Sequence, residues 1–203
     1  MKVLRSLSVG ALCSIALAGC TAGAYRVEDA APRATLAATR DVLGCAADAA
    51  TLRAGFAANP QEQELASILE TAPGQARHGM RFNPTLARVA RARAADMARR
   101  GYFGHTDPDG LGANTHVTRA GFRLPVLYDA RPSGNNIESL GGGYASPRAA
   151  WGAWMGSTGH RTHLLGLGDF YRAQTDYGVG YVHAPGSRYG HYWVVLIAAG
   201  ACA

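Results

Sequence analysis

The run His191-Tyr-Trp193-Val-Val-Leu-Ile197 is apolar almost without interruption, and it constrains the fold more than any other stretch of the chain. A strand with one wet face alternates apolar and polar residues, so a run that does not alternate is expected to be a central strand covered on both faces. A second β-rich run, Tyr177 to His183, precedes it, and Ala184-Pro-Gly-Ser-Arg-Tyr-Gly190 between them reads as the turn of a hairpin. Helices must supply the cover. Asn83-Pro84 opens one with Leu86, Val89, Ala90, Ala94 and Met97 on one side, Arg88, Arg91, Arg99 and Arg100 elsewhere, and Gly101 at its end. Gln61 to about Thr71 carries Leu65, Ile68 and Leu69 and stops at Pro73-Gly74, while Asp41 to Ala58 carries Val42, Cys45, Ala49 and Leu52 and stops at Asn59-Pro60. A fourth helix starts at Ser146-Pro147 and places Ala150, Trp151, Trp154 and Met155 on one stripe. Four helices around two or three strands predict an α+β layered domain.

The segments between these elements carry turn chemistry. In Tyr102-Phe103-Gly104-His105-Thr106-Asp107-Pro108-Asp109-Gly110 the two aspartates lack the spacing of a calcium loop, so they are expected to stabilise a turn through their side chains. Residues 123–145 read as loop with one short strand, Asn136 to Leu140, and Gly141-Gly142-Gly143 as a flexible connection, because no basic residue or helix follows with phosphate-loop spacing.

The N-terminus reads as an export signal. Lys2 and Arg5 precede the apolar run Val9 to Ala18, which is too short to span a membrane comfortably and ends in Leu17-Ala18-Gly19-Cys20. This arrangement resembles the lipobox of bacterial lipoproteins, which implies removal of residues 1–19, a lipid on Cys20, and anchoring in a membrane; with Thr21 and not aspartate next, it implies the periplasmic side of an outer membrane if the cell has one. Residues 20–40 would be a tether. Loss of Lys2 and Arg5 lowers the formal charge from +6 to about +4, and the remaining arginines are scattered with no aromatic interleaving, so no nucleic-acid partner is expected. With Cys13 removed and Cys20 lipidated, Cys45 and Cys202 remain. In an oxidising compartment they are expected to form a disulfide, worth about 5 kcal/mol in the chain-entropy account for so long a loop; two free thiols are the alternative.

The densest stretch is Trp151 to Leu165, in which Gly156-Ser157-Thr158-Gly159 breaks the tryptophan helix and lets a short helix begin with His160 at its start. Taken with Asn83 to Ala90, Asp96-Met97-Ala98, Gly101 to Gly110, Ala120-Gly121-Phe122, Asn135-Asn136-Ile137, Gly178-Val179-Gly180-Tyr181 and Tyr192-Trp193-Val194, it resembles the CAP superfamily, also called SCP-like, in its bacterial branch. The resemblance implies a three-layer α-β-α sandwich with a small antiparallel sheet over 41–203, with the family motifs at about 60–198. It also implies a cavity that in relatives holds two histidines and two acids and in some of them a divalent metal.

Carried over residue by residue, the histidines match His105 and His160. The first acid falls on Asn135 in Gly134-Asn135-Asn136, and the second on Ser157, so neither carboxylate is carried over. Glu138, three positions along a strand from Asn135, would face the other way. His163 shares a helical face with His160 and is expected to be solvated, with a third imidazole ligand as the alternative. The ligand cavity is therefore read as His105, Asn135, Ser157 and His160, with His105 and His160 as weak metal ligands, no cofactor required, and zinc as the divalent ion they would hold weakly. The expected function is that of a lipid-anchored, extracytoplasmic binding module of the cell envelope for a lipid, cell-wall or protein ligand. The alternative is a weakly metal-dependent hydrolase, a protease or nuclease; no catalytic residue is assigned.

Overall fold

A computed structural model describes residues 59–200. In chain order these form α1 (Pro60–Thr71), β1 (Arg81–Phe82), α2 (Pro84–Arg100), α3 (Ala113–Arg119), β2 (Glu138–Gly142), α4 (Pro147–Met155), α5 (Thr158–Leu164), α6 (Asp169–Arg172), β3 (Asp176–His183) and β4 (His191–Ala198). The signal sequence, tether and helix expected over residues 1–19, 20–40 and 41–58, and Cys20, Cys45 and Cys202, lie outside the described residues.

The sheet runs β1-β3-β4-β2. The central β4 pairs antiparallel with both β3 and β2, and the two-residue β1 adds a parallel edge to β3. As its continuous apolarity demands, β4 is covered on both faces. Tyr192, Val194, Leu196 and Ala198 join a core with Leu86, Val89, Ala90, Ala94 and Met97 of α2 and Val117 of α3. Trp193, Val195 and Ile197 join the opposite core with Leu65 and Leu69 of α1, Ala150 and Trp154 of α4, and Leu164 of α5. The result is an α-β-α sandwich, in which each fully buried large side chain contributes about 1.5–3 kcal/mol.

Local chemistry sets the helices. Asn59 and Asn83 each accept two backbone N–H groups at the first turns of α1 and α2, each with a proline in that turn, and Gly101 ends α2 in the left-handed conformation at φ 71°. Ser146 caps α4 by accepting from Ala149 N at 3.2 Å. Strand β3 meets α2 backbone to backbone: a Cβ on Gly178 would sit 2.1 Å from Ala87 N, and one on Gly180 2.3 Å from the Ala90 carbonyl carbon, so only glycine allows this approach. The Asp107 turn is as expected, with Oδ1 accepting from Asp109 N at 2.9 Å and Leu111 N at 2.8 Å.

Two expectations are corrected. The glycine run is no flexible connection, since Gly141 and Gly142 belong to β2. A Cβ at Gly141 would lie 3.0 Å from the Trp154 ring, whose indole N–H donates to the Leu140 carbonyl at 2.7 Å. Gly141 makes room for α4 to cross the strand, and Gly142 for the rings of Phe103 and Tyr189, which lie 2.9 and 3.0 Å from where its Cβ would be. The strand also begins two residues later than expected, at Glu138, because Asn135 Oδ1 accepts from Ile137 N at 3.2 Å and Glu138 N at 3.0 Å and holds the preceding chain in a turn.

Candidate functional site

A cleft of about 240 Å³ opens beside the start of β2 and the N-terminal half of α5, with His105, Asn135, Ser157 and His160 all on its walls. The four cavity residues expected from the sequence are therefore brought together. The structure adds Glu138, Ser139, His163 and Tyr171 to the same lining.

Glu138 overturns the reading of a cavity without carboxylates. Its side chain is wholly buried, and Oε2 accepts a hydrogen bond from His105 Nδ1 at 3.0 Å. The alternation that would have turned it away applies only within a strand, and Asn135 precedes the strand. Paired with Leu196 across the sheet, Glu138 faces the α2 layer, where Arg93 Nε donates to its Oε1 at 3.1 Å. Arg93 is itself buried and donates further to Tyr102 Oη at 2.7 Å and to the carbonyls of Gly104 and His105 at 3.1 Å each. Tyr102 Oη in turn donates to Asp96 Oδ2 at 3.0 Å. Burial opposes the charge on Arg93, yet the charge and hydrogen bond of Glu138 more than offset it and hold the guanidinium above its ordinary pKa. One arginine thus fixes both the backbone of His105 and the acid that orients its ring. Position 93 lies on the stripe of Leu86, Ala90 and Met97, and an arginine on an apolar stripe was the signal that sequence reasoning passed over.

The other wall comes from α5. His160 is half-buried with its ring centroid 6.4 Å from that of Trp154; burial first, and the nearby His105 second, hold its pKa below the ordinary value, so the ring is neutral at neutral pH. Ser157 occupies the N-cap position of α5 without a side-chain capping bond, and no hydrogen bond joins it to His160 among the described residues. The solvated state expected for His163 is also corrected. The ring is 5% exposed, and its Nδ1 lies 2.7 Å from Ser139 Oγ. Arg77 seals the far side, donating to the carbonyls of His163 at 2.5 Å and Leu164 at 2.8 Å. Burial, with the charge of Arg77 behind it, pushes the His163 pKa down to about 3, so this imidazole is a neutral part of the core.

The donor set does not fit a resident divalent ion. Both Glu138 oxygens are engaged by Arg93 and His105, His105 Nδ1 is turned toward Glu138, and His163 is turned toward Ser139. What is left is His105 Nε2 and the His160 ring on the cleft walls, with His163 Nε2 buried behind them without a hydrogen-bond partner, short of the four ligands zinc takes. Among the described residues no group of three or more His, Cys, Asp or Glu side chains is placed to hold a metal.

Comparison with known proteins agrees with this architecture. The model of the family described as "CAP: Cysteine-rich secretory protein family" matches residues 50–197. No curated protein matches. Among solved structures, an outer surface protein from Borrelia burgdorferi is 17% identical with a TM-score of 0.51, over 68% of this chain and 90% of its own. An extracellular protein containing an SCP domain from Bacillus anthracis is 21% identical with a TM-score of 0.51, over 68% of this chain; the match spans 40% of that protein's length. At these identities the likeness is one of fold. No helix among the described residues is long and apolar enough to cross a membrane.

Proposed function

The chain belongs to the CAP, or cysteine-rich secretory protein, family, and from that premise we propose that it is a lipid-anchored extracytoplasmic binding module of the cell envelope. Its cleft takes an uncharged, hydrogen-bonding ligand such as a glycan unit of a cell-wall polymer. The observation that supports this reading is the spent state of Glu138: with both oxygens held by Arg93 and His105, the cleft offers imidazole, amide and hydroxyl groups and no free carboxylate. Such groups match the alternating donors and acceptors of sugars and amides. The test is binding of soluble cell-wall fragments to the full chain, with Asn135→Ala and His160→Gln as the cleft variants. Saturable binding that both variants weaken supports the module, and equal binding by all three proteins refutes it.

Hydrolysis is the second reading, and the His105–Glu138 pair favours it. A carboxylate on Nδ1 fixes the tautomer and leaves Nε2 as an acceptor toward the cleft, which is how a general base is prepared. Under this reading the same fragments are cleaved, and His105→Gln abolishes turnover while His160→Gln leaves part of it. Lipidation is tested separately, by the N-terminal mass of membrane-extracted protein: a diacylglyceryl group on Cys20 is expected, and an unmodified N-terminus elsewhere refutes the anchor.

A further inference from the structure

We propose that the turn from Pro125 to Tyr128 is a membrane-contact tip that inserts Val126 and Leu127 into an anionic phospholipid bilayer while Arg119 and Arg123 meet its headgroups. Val126 is 99% exposed and Leu127 81%, far above any other large apolar side chain among the described residues. Tyr128 N donates to Pro125 O at 3.1 Å, so the two aliphatics are the central residues of a β-turn. Turns are dominated by glycine, proline, asparagine, aspartate and serine, and with both side chains out in solvent no packing calls for branched aliphatics there.

The tip is held outward. Phe122 before it and Tyr128 after it are buried in the α2-side core, and Tyr128 Oη accepts from Ala199 N at 2.9 Å. The flank is completed by Asn136 Oδ1, which accepts from Asp129 N at 2.7 Å. The pair therefore cannot fold back onto the core, and its ordering is settled before it meets a partner.

Charge selects the partner. Arg119 and Arg123 are exposed and make no ion pair or hydrogen bond among the described residues. The acids near the tip are already neutralised, Asp129 by Arg131 and Asp169 by Arg172. Next to the tip, the partly exposed Phe170 packs its ring 5.3 Å from Tyr128. Aliphatics projecting between unpaired arginines complement acyl chains beneath anionic headgroups. Two side chains on a projecting turn are too little for a stable protein interface, which needs about 800 Å² per partner. A second copy would oppose like charges. A lipid on Cys20, as the sequence leads one to expect, would keep the domain within reach of such a surface. This inference is independent of the cleft.

The test uses the full chain carrying Leu127→Trp, a substitution that touches no core residue, with vesicles of phosphatidylglycerol and phosphatidylcholine bearing brominated acyl chains. The added tryptophan is expected to shift to the blue and lose intensity to bromine, whereas the emission of the parent protein stays unquenched, because Trp154 and Trp193 are buried and the partly buried Trp151 packs against the core on the other side of the sheet from the tip. Adding Arg119→Glu and Arg123→Glu shifts the titration to about thirtyfold more lipid or beyond, at roughly 1 kcal/mol per arginine. Vesicles of phosphatidylcholine alone give weaker quenching. Three outcomes would overturn the proposal: an introduced tryptophan that stays unquenched, quenching indifferent to headgroup charge, or a blue shift without lipid that follows self-association of the chain.

Discussion

Acidification destabilises this protein through His163, and the size of the effect follows from its burial. The native ring has its pKa pushed from 6.5 down to about 3 by burial, with Arg77 adding to the shift. In the unfolded chain it titrates as an ordinary imidazole. Between those two values the unfolded state binds a proton that the native state refuses, so stability falls as pH falls from 6.5 and levels off near 3. Each pH unit inside the window costs about 1.4 kcal/mol, so a change from pH 7.5 to 4.5 removes about 3 kcal/mol, a large share of a typical domain's 5–15 kcal/mol. Other groups titrate over the same range, and Asp107 and His160 both have shifted values. The quantity to measure is therefore the difference between the parent and His163→Gln. Urea unfolding followed by circular dichroism at half-unit steps gives both curves. The variant loses stability at pH 7.5 because a packed ring beside Ser139 is replaced, but the gap between the curves should close by about 3 kcal/mol at pH 4.5. Curves that stay parallel over that range would show that His163 is protonated in the native state, and the sealed back wall of the cleft would then be wrong.

Glu138→Gln is expected to cost about 3–5 kcal/mol in denaturant unfolding, because it leaves the buried Arg93 without its counter-charge, whereas the double variant Arg93→Leu/Glu138→Leu recovers part of that loss. A double variant no better than the single one would show that Arg93 is held by Tyr102 and the loop carbonyls alone. Gly178→Ala places a Cβ within 2.1 Å of the α2 backbone and should lower stability by more than about 3 kcal/mol or prevent folding, read by yield and melting temperature. An unchanged melting temperature would mean that helix and strand are not in contact there. Zinc titration by calorimetry should give only weak binding that is lost in both His105→Ala and His160→Ala; tight binding with a stoichiometry of one would refute the two-ligand account of the cleft.

The architecture was legible wherever one periodic pattern ran long enough to identify itself. The unbroken apolar run of β4 implied cover on both faces, and its side chains do divide between two cores. The caps Asn83, Gly101 and Ser146 marked helix ends through chemistry local to a few residues. What escaped was short or was justified from a distance. With seven residues α3 makes barely two turns, and β1 has two residues and no period at all. Gly141 looked like a linker because the reason for its missing side chain is Trp154, on the next helix.

The site illustrates the same division at higher stakes. The cavity histidines and Asn135 were found because each stands in a local motif, whereas the acid was dismissed by extending strand alternation back through a residue that is in fact a turn cap. Arg93 could have corrected that error. Placed on an apolar stripe facing a core, an arginine calls for buried acceptors to meet it, a carboxylate being the strongest, because burying an unpaired guanidinium costs more than a helix of this size can offset. Between Gly110 and Gly168 the chain carries two acids, Asp129 and Glu138, and Asp129 stands in a turn-rich segment beside Arg131, which can satisfy it locally. Glu138, set among Ile137, Ser139 and Leu140 where a strand enters the core, has no such local partner. Each residue looks anomalous alone, a charge where an apolar side chain belongs. Taken as a pair they require one another, and requiring one another places His105 beside a carboxylate that the family motif, with Asn135 in its acid position, had given up.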